Sequence, residues 1–326
     1  MEDYKKHIEG KTVLITGGGG AIGSNLTRAI ADLKAKMVIV LDDMSAAYEW
    51  NIPSLPNVLL VKGSITDEIA LKRVFGLNPD IVYHLAAFFA NQNSVDFPQK
   101  DLNTNGLGTL LIYQYAQMCK AGRVVYASSG CSIYGCTAPL PLKEDYMSMH
   151  LTTPYQITKM LGELYANFFH HHYGTPIVKT RFFNSYGPGE VPGQYRNVIP
   201  NFMFWAMSGL PLPFTGSGEE TRDFTYVDDL VDALLRAGYY DAAVGEEMNL
   251  ASGREIKILE MAEMVNDLTG NKAGIARAPH RVWDTKKRLL ASVEKANKLL
   301  GYEPSMDFEQ GLKNTYEWFK ANAVRA

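Results

Sequence analysis

The chain of 326 residues has few cysteines, no long apolar run and no surplus of basic charge, and each shortage narrows the possible functions. No run of 18 or more apolar residues occurs, so we expect no membrane span. The net charge of −3 gives no reason to expect a nucleic-acid partner, because nucleic-acid binders are usually basic. The N-terminal stretch MEDYKKHIEG carries no apolar signal segment. Three cysteines without a C-x-x-C pair predict a reduced, cytoplasmic protein: Cys119, Cys131 and Cys136.

A glycine-rich turn stands between a predicted strand and a predicted helix. The strand is Thr12–Thr16 (TVLIT), and apolar residues recur at helical spacing over residues 22–33. Between them, Gly17, Gly20 and Gly23 form G-x-x-G-x-x-G. Such a turn brings the backbone close to a pyrophosphate, and the helix that follows opens with free N–H donors. The pattern predicts a dinucleotide site.

An acid at the end of the second predicted strand indicates which dinucleotide binds. The strand Met37–Leu41 ends on Asp42, about 20 residues past the glycines, where a carboxylate can accept hydrogen bonds from both hydroxyls of a ribose. Residues 43–48 include no Lys or Arg to meet a 2′-phosphate. We therefore predict NAD rather than NADP.

Strands and helices alternate along the first half of the chain. Further strands are predicted at 58–61, 81–84, 124–127 and 177–180, with helices at 67–75 and 107–119. This alternation predicts an α/β fold with a doubly wound parallel sheet, whose ligands bind beyond the carboxyl ends of the strands. The small polar residues of SSGCS, 128–132, leave the fifth strand at that edge.

Tyr155 and Lys159 lie four residues apart on one face of a predicted helix. A phenol with a pKa near 10 is a poor base at neutral pH. A nearby ammonium group and the positive nicotinamide ring of NAD⁺ both favour the phenolate and lower that pKa. Tyr155 is then able to take a proton from a sugar hydroxyl. A second pair with this spacing, Tyr316 and Lys320, lies in an amphipathic C-terminal segment and is predicted to be ordinary helix surface.

Taken together, these motifs resemble the extended short-chain dehydrogenases/reductases. The segments that carry the resemblance are TGGGGAIGSNL, HLAA (84–87), N-x-x-G-T (105–109), SSGCSIYG and YQITK. Three later segments narrow the resemblance to the nucleotide-sugar epimerase/dehydratase branch. They are RFFNSYGPG (181–189), RDFTYVDDLVDAL (222–234), and RVWD followed by KANKLLGYEP (281–304). The resemblance spans essentially the whole chain. It implies an NAD-binding Rossmann domain over 1–180, a smaller mixed α/β nucleotide-sugar domain over 181–326 with segments exchanged between the two, and a homodimer.

The resemblance also assigns roles to individual residues. It implies catalytic roles for Tyr155 and Lys159 and for the neighbouring Ser129, Cys131 and Ser132. Contact with NAD falls on Gly17, Gly20, Ala21, Ile22, Gly23, Asp42, Asp43, Ser64, Ile65, Leu85, Ala86, Ala87, Asn105, Ser128, Tyr155 and Lys159. Contact with the nucleotide sugar falls on Asn184, Asn197, Arg222, Arg281 and Asp284. For Arg281, a solvated role within the basic run 277–288 stays open.

The chain departs from the family pattern at three places. The catalytic Ser or Thr of the family falls on Gly130, so Ser129, Ser132 or a water molecule has to supply the hydroxyl. Dehydratases of this branch carry Asp-Glu at the next two positions, and decarboxylating relatives keep a Glu; here Cys131 and Ser132 stand there. Cys131 is either an acid/base group or a packing residue. Ser64, in GSITD, replaces the usual acid of the adenine site.

The function that these observations favour is an NAD-dependent nucleotide-sugar 4-epimerase that works through a transient 4-keto sugar. A 4-dehydrogenase that releases the keto-sugar, a 4,6-dehydratase and a decarboxylase are the enzyme alternatives, and an NAD-binding regulatory protein is the non-enzyme alternative. No metal is expected, because the adjacent His170, His171 and His172 point about 100° apart on a helix and cannot converge on one ion.

Overall fold

A computed structural model describes residues 2–279 and 286–322 of the chain. Its strands are β1 (Thr12–Thr16), β2 (Met37–Asp42), β3 (Val58–Lys62), β4 (Ile81–His84), β5 (Arg123–Ser129), β6 (Ile177–Phe182), β7 (Ser185–Tyr186), β8 (Leu212–Thr215), β9 (Thr221–Asp223), β10 (Thr225–Tyr226), β11 (Glu247–Leu250), β12 (Glu255–Lys257) and β13 (Ile275–Ala278).

The α-helices are α1 (Asp3–Lys6), α2 (Ala21–Asp32), α3 (Glu68–Phe75), α4 (Asn91–Asp96), α5 (Pro98–Asp101), α6 (Thr109–Met118), α7 (Gly130–Ile133), α8 (Pro154–Tyr173), α9 (Val198–Met207), α10 (Val227–Ala237), α11 (Ile258–Thr269), α12 (Glu294–Leu300) and α13 (Phe308–Asn322). A π-helical turn over Leu102–Gly108 precedes α6. No helix within residues 2–279 or 286–322 combines the length and the apolar character that a membrane crossing requires.

Seven parallel strands form the central sheet in the order β11-β6-β5-β4-β1-β2-β3. Along β1, Val13 and Ile15 enter the apolar core on one face, whereas Leu14 enters the core on the other. Successive side chains of a strand point to opposite faces, so a strand that is apolar at each of these positions needs a covered sheet on both sides. Helices α2, α10 and α12 cover one face, and α3, α6 and α8 cover the other. The α/β Rossmann-type fold expected from the sequence is confirmed.

The chain returns to this sheet after leaving it at β6. Helices α9, α11 and α13 enclose a separate apolar core with the short strands β7, β8 and β10. Strand β11 then pairs in parallel with β6 at the edge of the large sheet, and α10 packs on its face. Residues after 180 therefore contribute both to the central sheet and to the separate apolar core. The division into two domains at residue 180, with segments exchanged between them, stays a prediction.

Helix α8 has clear start and stop signals. Thr153 accepts a hydrogen bond from the Gln156 N–H at 3.4 Å, Pro154 occupies the first turn, and Gly174 ends the helix in a left-handed conformation at φ 68°. The helix runs for 20 residues, and its first turn lies beside α4 because the Tyr155 N–H donates to Ser94 Oγ at 3.1 Å. This anchor fixes the position of Tyr155.

Candidate active site

A large cavity opens at the carboxyl ends of the central strands. Its wall brings together most of the residues that the sequence predicts for the site. The predicted residues that line it are Gly17, Gly20, Ala21, Ile22, Gly23, Asp42, Asp43, Ser64, Ile65, Leu85, Ala86, Ala87, Ser128, Ser129, Cys131, Ser132, Tyr155, Lys159, Asn184 and Asn197. The cavity is therefore where a parallel sheet of this type is expected to bind ligands.

The glycines of the first turn are required by close backbone contacts. Gly17 has φ +71°, and a Cβ there would lie 2.7 Å from the Ala86 Cα. A Cβ on Gly23 would lie 2.1 Å from the Gly17 carbonyl oxygen. Helix α2 starts directly after Gly20 and aims its free N–H groups at the cavity. The turn thus leaves room for a pyrophosphate against a helix N-terminus.

Asp42 ends β2 as a buried carboxylate in the cavity wall. Its Oδ2 accepts from the Gly19 N–H at 2.9 Å, and its Oδ1 accepts from the Met44 N–H at 2.9 Å. Burial raises the pKa of Asp42, and these two backbone donors lower it. Each oxygen keeps a further lone pair for a ribose hydroxyl. The glycine turn and this acid together fit a dinucleotide such as NAD.

Lys159 and Tyr155 meet inside the cavity. The Lys159 Nζ donates to the Ala127 carbonyl oxygen at 2.8 Å and lies 5.7 Å from the centre of the Tyr155 ring. Burial lowers the pKa of Lys159 to about 8. Burial also raises the pKa of Tyr155, and a hydrogen bond with Ser129 lowers it. Within the protein itself the pKa of the phenol is therefore raised, where the sequence predicted a lowered one.

The side chain that the family places at position 130 has no space in this protein. A Cβ on Gly130 would lie 2.0 Å from Cε2 of the Phe183 ring. Ser129 lies beside this position: it is hydrogen-bonded to Tyr155, and its Oγ lies 3.0 Å from Ser132 Oγ. These contacts place a serine hydroxyl next to the phenol, and the prediction that Ser129 or Ser132 replaces the missing side chain stays a prediction.

Cys131 contacts the predicted substrate side of the cavity. Its Sγ donates to Asn184 Oδ1 at 3.2 Å. Burial raises the pKa of Cys131 to about 11, although the charges of Lys286 and Arg222 lower it. The thiol is accordingly neutral near pH 7 and a weak base. Its hydrogen bond leaves the Asn184 amide nitrogen for another acceptor.

Some predicted residues lie elsewhere. Asn105 is buried but does not line the cavity; its side chain accepts from the Phe88 N–H at 2.7 Å and donates to the Phe88 carbonyl oxygen at 3.1 Å. Arg222 is buried on β9, where its Nη1 donates to the Thr221 carbonyl oxygen at 2.8 Å. Neither residue lines the cavity, and their predicted ligand contacts stay predictions. Arg281 and Asp284 lie outside the described residues.

Other cavity residues come from distant segments that the sequence motifs do not mark. Arg196 donates a hydrogen bond to the carbonyl oxygen of Ala46, four residues past Asp42. Glu190 is buried, accepts from the Asn197 amide at 2.8 Å and has its pKa raised by burial to about 7. A single sequence carries no local signal for these contacts, because each joins positions that become neighbours only in the folded chain.

The remaining motifs have structural roles. Lys320 pairs with Glu317 at 3.2 Å on the surface, whereas Tyr316 is half-buried and packs against the apolar core of α9, α11 and α13. The prediction of helix surface for the second Tyr-x-x-x-Lys pair is therefore correct for Lys320 only. Within the described ranges, no group of three or more His, Cys, Asp or Glu side chains is placed to hold a metal ion.

Comparison with known sequences gives the same family along the chain. The family described as "NAD dependent epimerase/dehydratase" matches residues 13–251. The UDP-glucose 4-epimerase of Mycolicibacterium smegmatis is 32% identical over 94% of this chain and 98% of its own. The UDP-N-acetyl-alpha-D-glucosaminuronate decarboxylase of Bacillus cytotoxicus is 31% identical over 95% of this chain and 98% of its own.

Solved structures agree with the sequence comparison. The epimerase Mth375 of Methanothermobacter thermautotrophicus is 54% identical, with a TM-score of 0.97 over 99% of this chain and 96% of that one. The Bordetella bronchiseptica enzyme WbmF, solved with NAD⁺, is 34% identical, with a TM-score of 0.85 over 98% of this chain and 95% of that one. These matches, together with a cavity that fits a dinucleotide, show an enzyme with NAD as its cofactor: the chain belongs to the NAD-dependent epimerase/dehydratase family of extended short-chain dehydrogenases/reductases.

Proposed function

We propose that the protein is a nucleotide-sugar 4-epimerase that oxidises C4 of its substrate and reduces it again from the other face. The observation that carries the proposal is the content of the cavity around Tyr155. A phenol, a serine hydroxyl and an ammonium group converge there, whereas a neutral thiol and a serine occupy the positions where dehydratases carry two carboxylates. The names of the relatives, which include UDP-sugar epimerases, support a nucleotide-sugar substrate.

Tyr155 is the proton-transfer group in this proposal. Bound NAD supplies the acceptor and donor of the C4 hydride. Tyr155 takes the proton of the 4-hydroxyl as C4 is oxidised, and it gives the proton back when C4 is reduced. Ser129 holds the phenol oxygen during both transfers. The Lys159 ammonium group, 5.7 Å from the ring centre, contributes positive charge that favours the phenolate.

The same residues explain why elimination of water is disfavoured. Removing water across C5 and C6 needs one group to deprotonate C5 and another to protonate the leaving hydroxyl, both with suitable pKa values. Burial raises the pKa of Cys131 to about 11, and a serine hydroxyl such as that of Ser132 is a weaker acid still. Epimerisation at C4 requires neither a group that deprotonates C5 nor one that protonates the 6-hydroxyl.

The product is expected to have the same mass as the substrate. The measurement is mass spectrometry of reactions over a panel of UDP-, GDP-, dTDP- and CDP-sugars, with chromatography to separate epimers. An unchanged mass at a new elution position supports the proposal. Loss of water would identify a dehydratase, loss of carbon dioxide a decarboxylase, and loss of two hydrogens with NADH formation a dehydrogenase. A protein that binds NAD and converts none of the panel would favour the regulatory alternative.

We also propose that two copies pair through helix α8. Ile157, Leu164 and Phe168 lie on one face of this helix and are 52%, 48% and 46% exposed. Leu102 and Leu107 of the adjacent π-helical segment are 56% and 45% exposed, so the apolar face spans two neighbouring helices. A contiguous apolar face on a folded protein marks an interaction surface, and a two-fold pairing matches it to itself.

The homodimer predicts that Leu164→Asp halves the mass in solution to about that of one 36.2 kDa chain. Light scattering after size exclusion measures this directly. Ile69→Asp is the matched control, because Ile69 is 80% exposed on α3 and is not one of the residues of the proposed face. A wild-type protein that elutes with the mass of a single chain would contradict the dimer.

A further inference from the structure

A buried carboxylate, Asp101, lies behind the Tyr155–Lys159 pair. It is the last residue of α5 and has no exposed surface. Its Oδ1 accepts from the Thr158 hydroxyl at 2.7 Å, and its Oδ2 accepts from the Asn105 amide at 2.8 Å. Both oxygens of a group that rarely occurs in protein interiors are therefore held by specific partners.

These two hydrogen bonds connect the two walls of the cavity. Thr158 directly precedes Lys159 on α8, and its hydroxyl also lies 3.3 Å from the Tyr155 carbonyl oxygen. Asn105 holds both backbone polar groups of Phe88, which lies in the cavity wall after β4. Asp101 thus joins the helix that carries the phenol and the ammonium group to the loop that faces them.

The charge of Asp101 acts on the same pair. It raises the pKa of Lys159 against the effect of burial, and it raises the pKa of Tyr155 as well. Two other groups near Lys159 are neutral at pH 7. One is the Tyr126 ring, whose centre lies 5.3 Å from the Lys159 Nζ, and the other is His84, whose pKa burial lowers to about 3.

The groups near Tyr155 are similarly neutral or already paired. Cys131 and Ser129 face the phenol, and the pKa of the thiol is raised to about 11. Glu163 of α8 is paired with Arg181 at 2.8 Å and accepts from Ser128 at 2.5 Å. Asp101 is thus the anion whose charge raises the pKa of Lys159.

We propose that Asp101 is a positioning residue for the catalytic pair, which keeps Lys159 in its charged form and holds α8 against the Phe88 loop. The inference rests on the proposed roles of Tyr155 and Lys159, but it concerns the charge state of the protein rather than the identity of the sugar. This role explains why a carboxylate lies at a buried position where a neutral side chain would cost less free energy.

The experiment compares Asp101→Asn with Thr158→Val. The first substitution keeps the shape of the side chain and removes its charge: the new amide oxygen still accepts from Asn105, and the new amide nitrogen donates to the Thr158 oxygen. Thr158→Val removes one hydrogen bond but keeps the carboxyl group of Asp101 and its hydrogen bond with Asn105. The readout is NADH binding to the cofactor-depleted full-length protein, followed by fluorescence from about pH 6 to 9.5, the range around the pKa of Lys159. The rate of acetylation of Lys159 over the same range, measured by peptide mass spectrometry, gives the pKa of the amine directly.

The sign of the effect follows from the charges. Lys159 attracts the anionic cofactor while it is protonated, so NADH affinity falls as the pH rises through the pKa of Lys159, about 8 in the wild type. Without the negative charge of Asp101 this pKa drops, and the fall in affinity moves to lower pH by about one unit. Thr158→Val is expected to keep the wild-type midpoint.

The outcomes separate this proposal from the proposed reaction. An Asp101→Asn midpoint equal to that of the wild type, or the same displacement in Thr158→Val, would overturn it whatever the enzyme does to sugars. A displaced midpoint together with no epimerase activity would support the role of Asp101 and contradict the proposed reaction. Circular dichroism checks folding, and Asp101→Ser replaces Asp101→Asn if the latter does not fold. If neither folds and Thr158→Val does, the carboxylate has a structural role only and the proposal fails.

Discussion

Tyr155→Phe is expected to lower kcat by about 10²–10⁴-fold, the usual contribution of a positioned acid/base group, and to leave NAD binding unchanged. The ring of Tyr155 packs edge-on against Phe89, with 6.0 Å between the ring centres, and it is buried in the cavity wall. Phenylalanine keeps this packing and removes the hydroxyl alone. Rates from initial velocities and cofactor affinity from fluorescence titration, measured on the same preparation, separate the two effects.

The chain provides its own control for this substitution. Tyr316→Phe alters the second Tyr-x-x-x-Lys pair, in which the Lys320 Nζ lies 5.2 Å from the Tyr316 ring on the surface of α13. It is expected to leave kcat and cofactor affinity as they are. Equal activity in the two variants would show that the spacing at 155 has no more catalytic meaning than the spacing at 316.

The central sheet could be predicted because its signals are local. Strands β1 and β4 have the bounds expected from the sequence, since each is a short apolar run that ends at a polar or glycine-rich turn. The glycine turn and Asp42 were also identifiable, because each requires its residue type at a fixed distance along the chain. Such local patterns were enough for the fold and for the cofactor side of the cavity.

The rest of the site depends on contacts between distant residues. Arg196 reaches Ala46 across 150 positions, and Asp101 reaches Thr158 across 57. No spacing or periodicity encodes such pairs. The sequence also predicted a lowered pKa for Tyr155, whereas burial raises it, because the depth of a side chain in a cavity depends on the packing of several elements at once.

Ser129→Ala is expected to cause the second large loss of activity, because we propose that Ser129 supplies the hydroxyl that the family takes from position 130. Its hydrogen bond with Tyr155 favours the phenolate, and without it the pKa of the phenol rises further. We expect kcat to fall by about 10²-fold, the lower end of the range for acid/base assistance, with cofactor affinity unchanged. Ser132→Ala is the matched control, since it removes the same kind of hydroxyl from a residue that is hydrogen-bonded to Ser129 at 3.0 Å. A larger loss in Ser132→Ala than in Ser129→Ala would contradict the assignment.

Gly130→Ser, which restores the family's hydroxyl in sequence, is expected to lower activity and stability rather than raise them. Its Cβ would lie 2.0, 2.5 and 2.7 Å from three atoms of the Phe183 ring, so this ring, which is 1% exposed, would have to move. Overpacking of this kind costs about 1–3 kcal/mol of folding free energy or more, measurable by urea denaturation. The double variant Gly130→Ser/Phe183→Ala removes the obstructing ring and tests whether the clash is the cause. If the single variant is as stable as the wild type and more active, then Phe183 does not fill the place of the family side chain, and the assignment of Ser129 loses its structural reason.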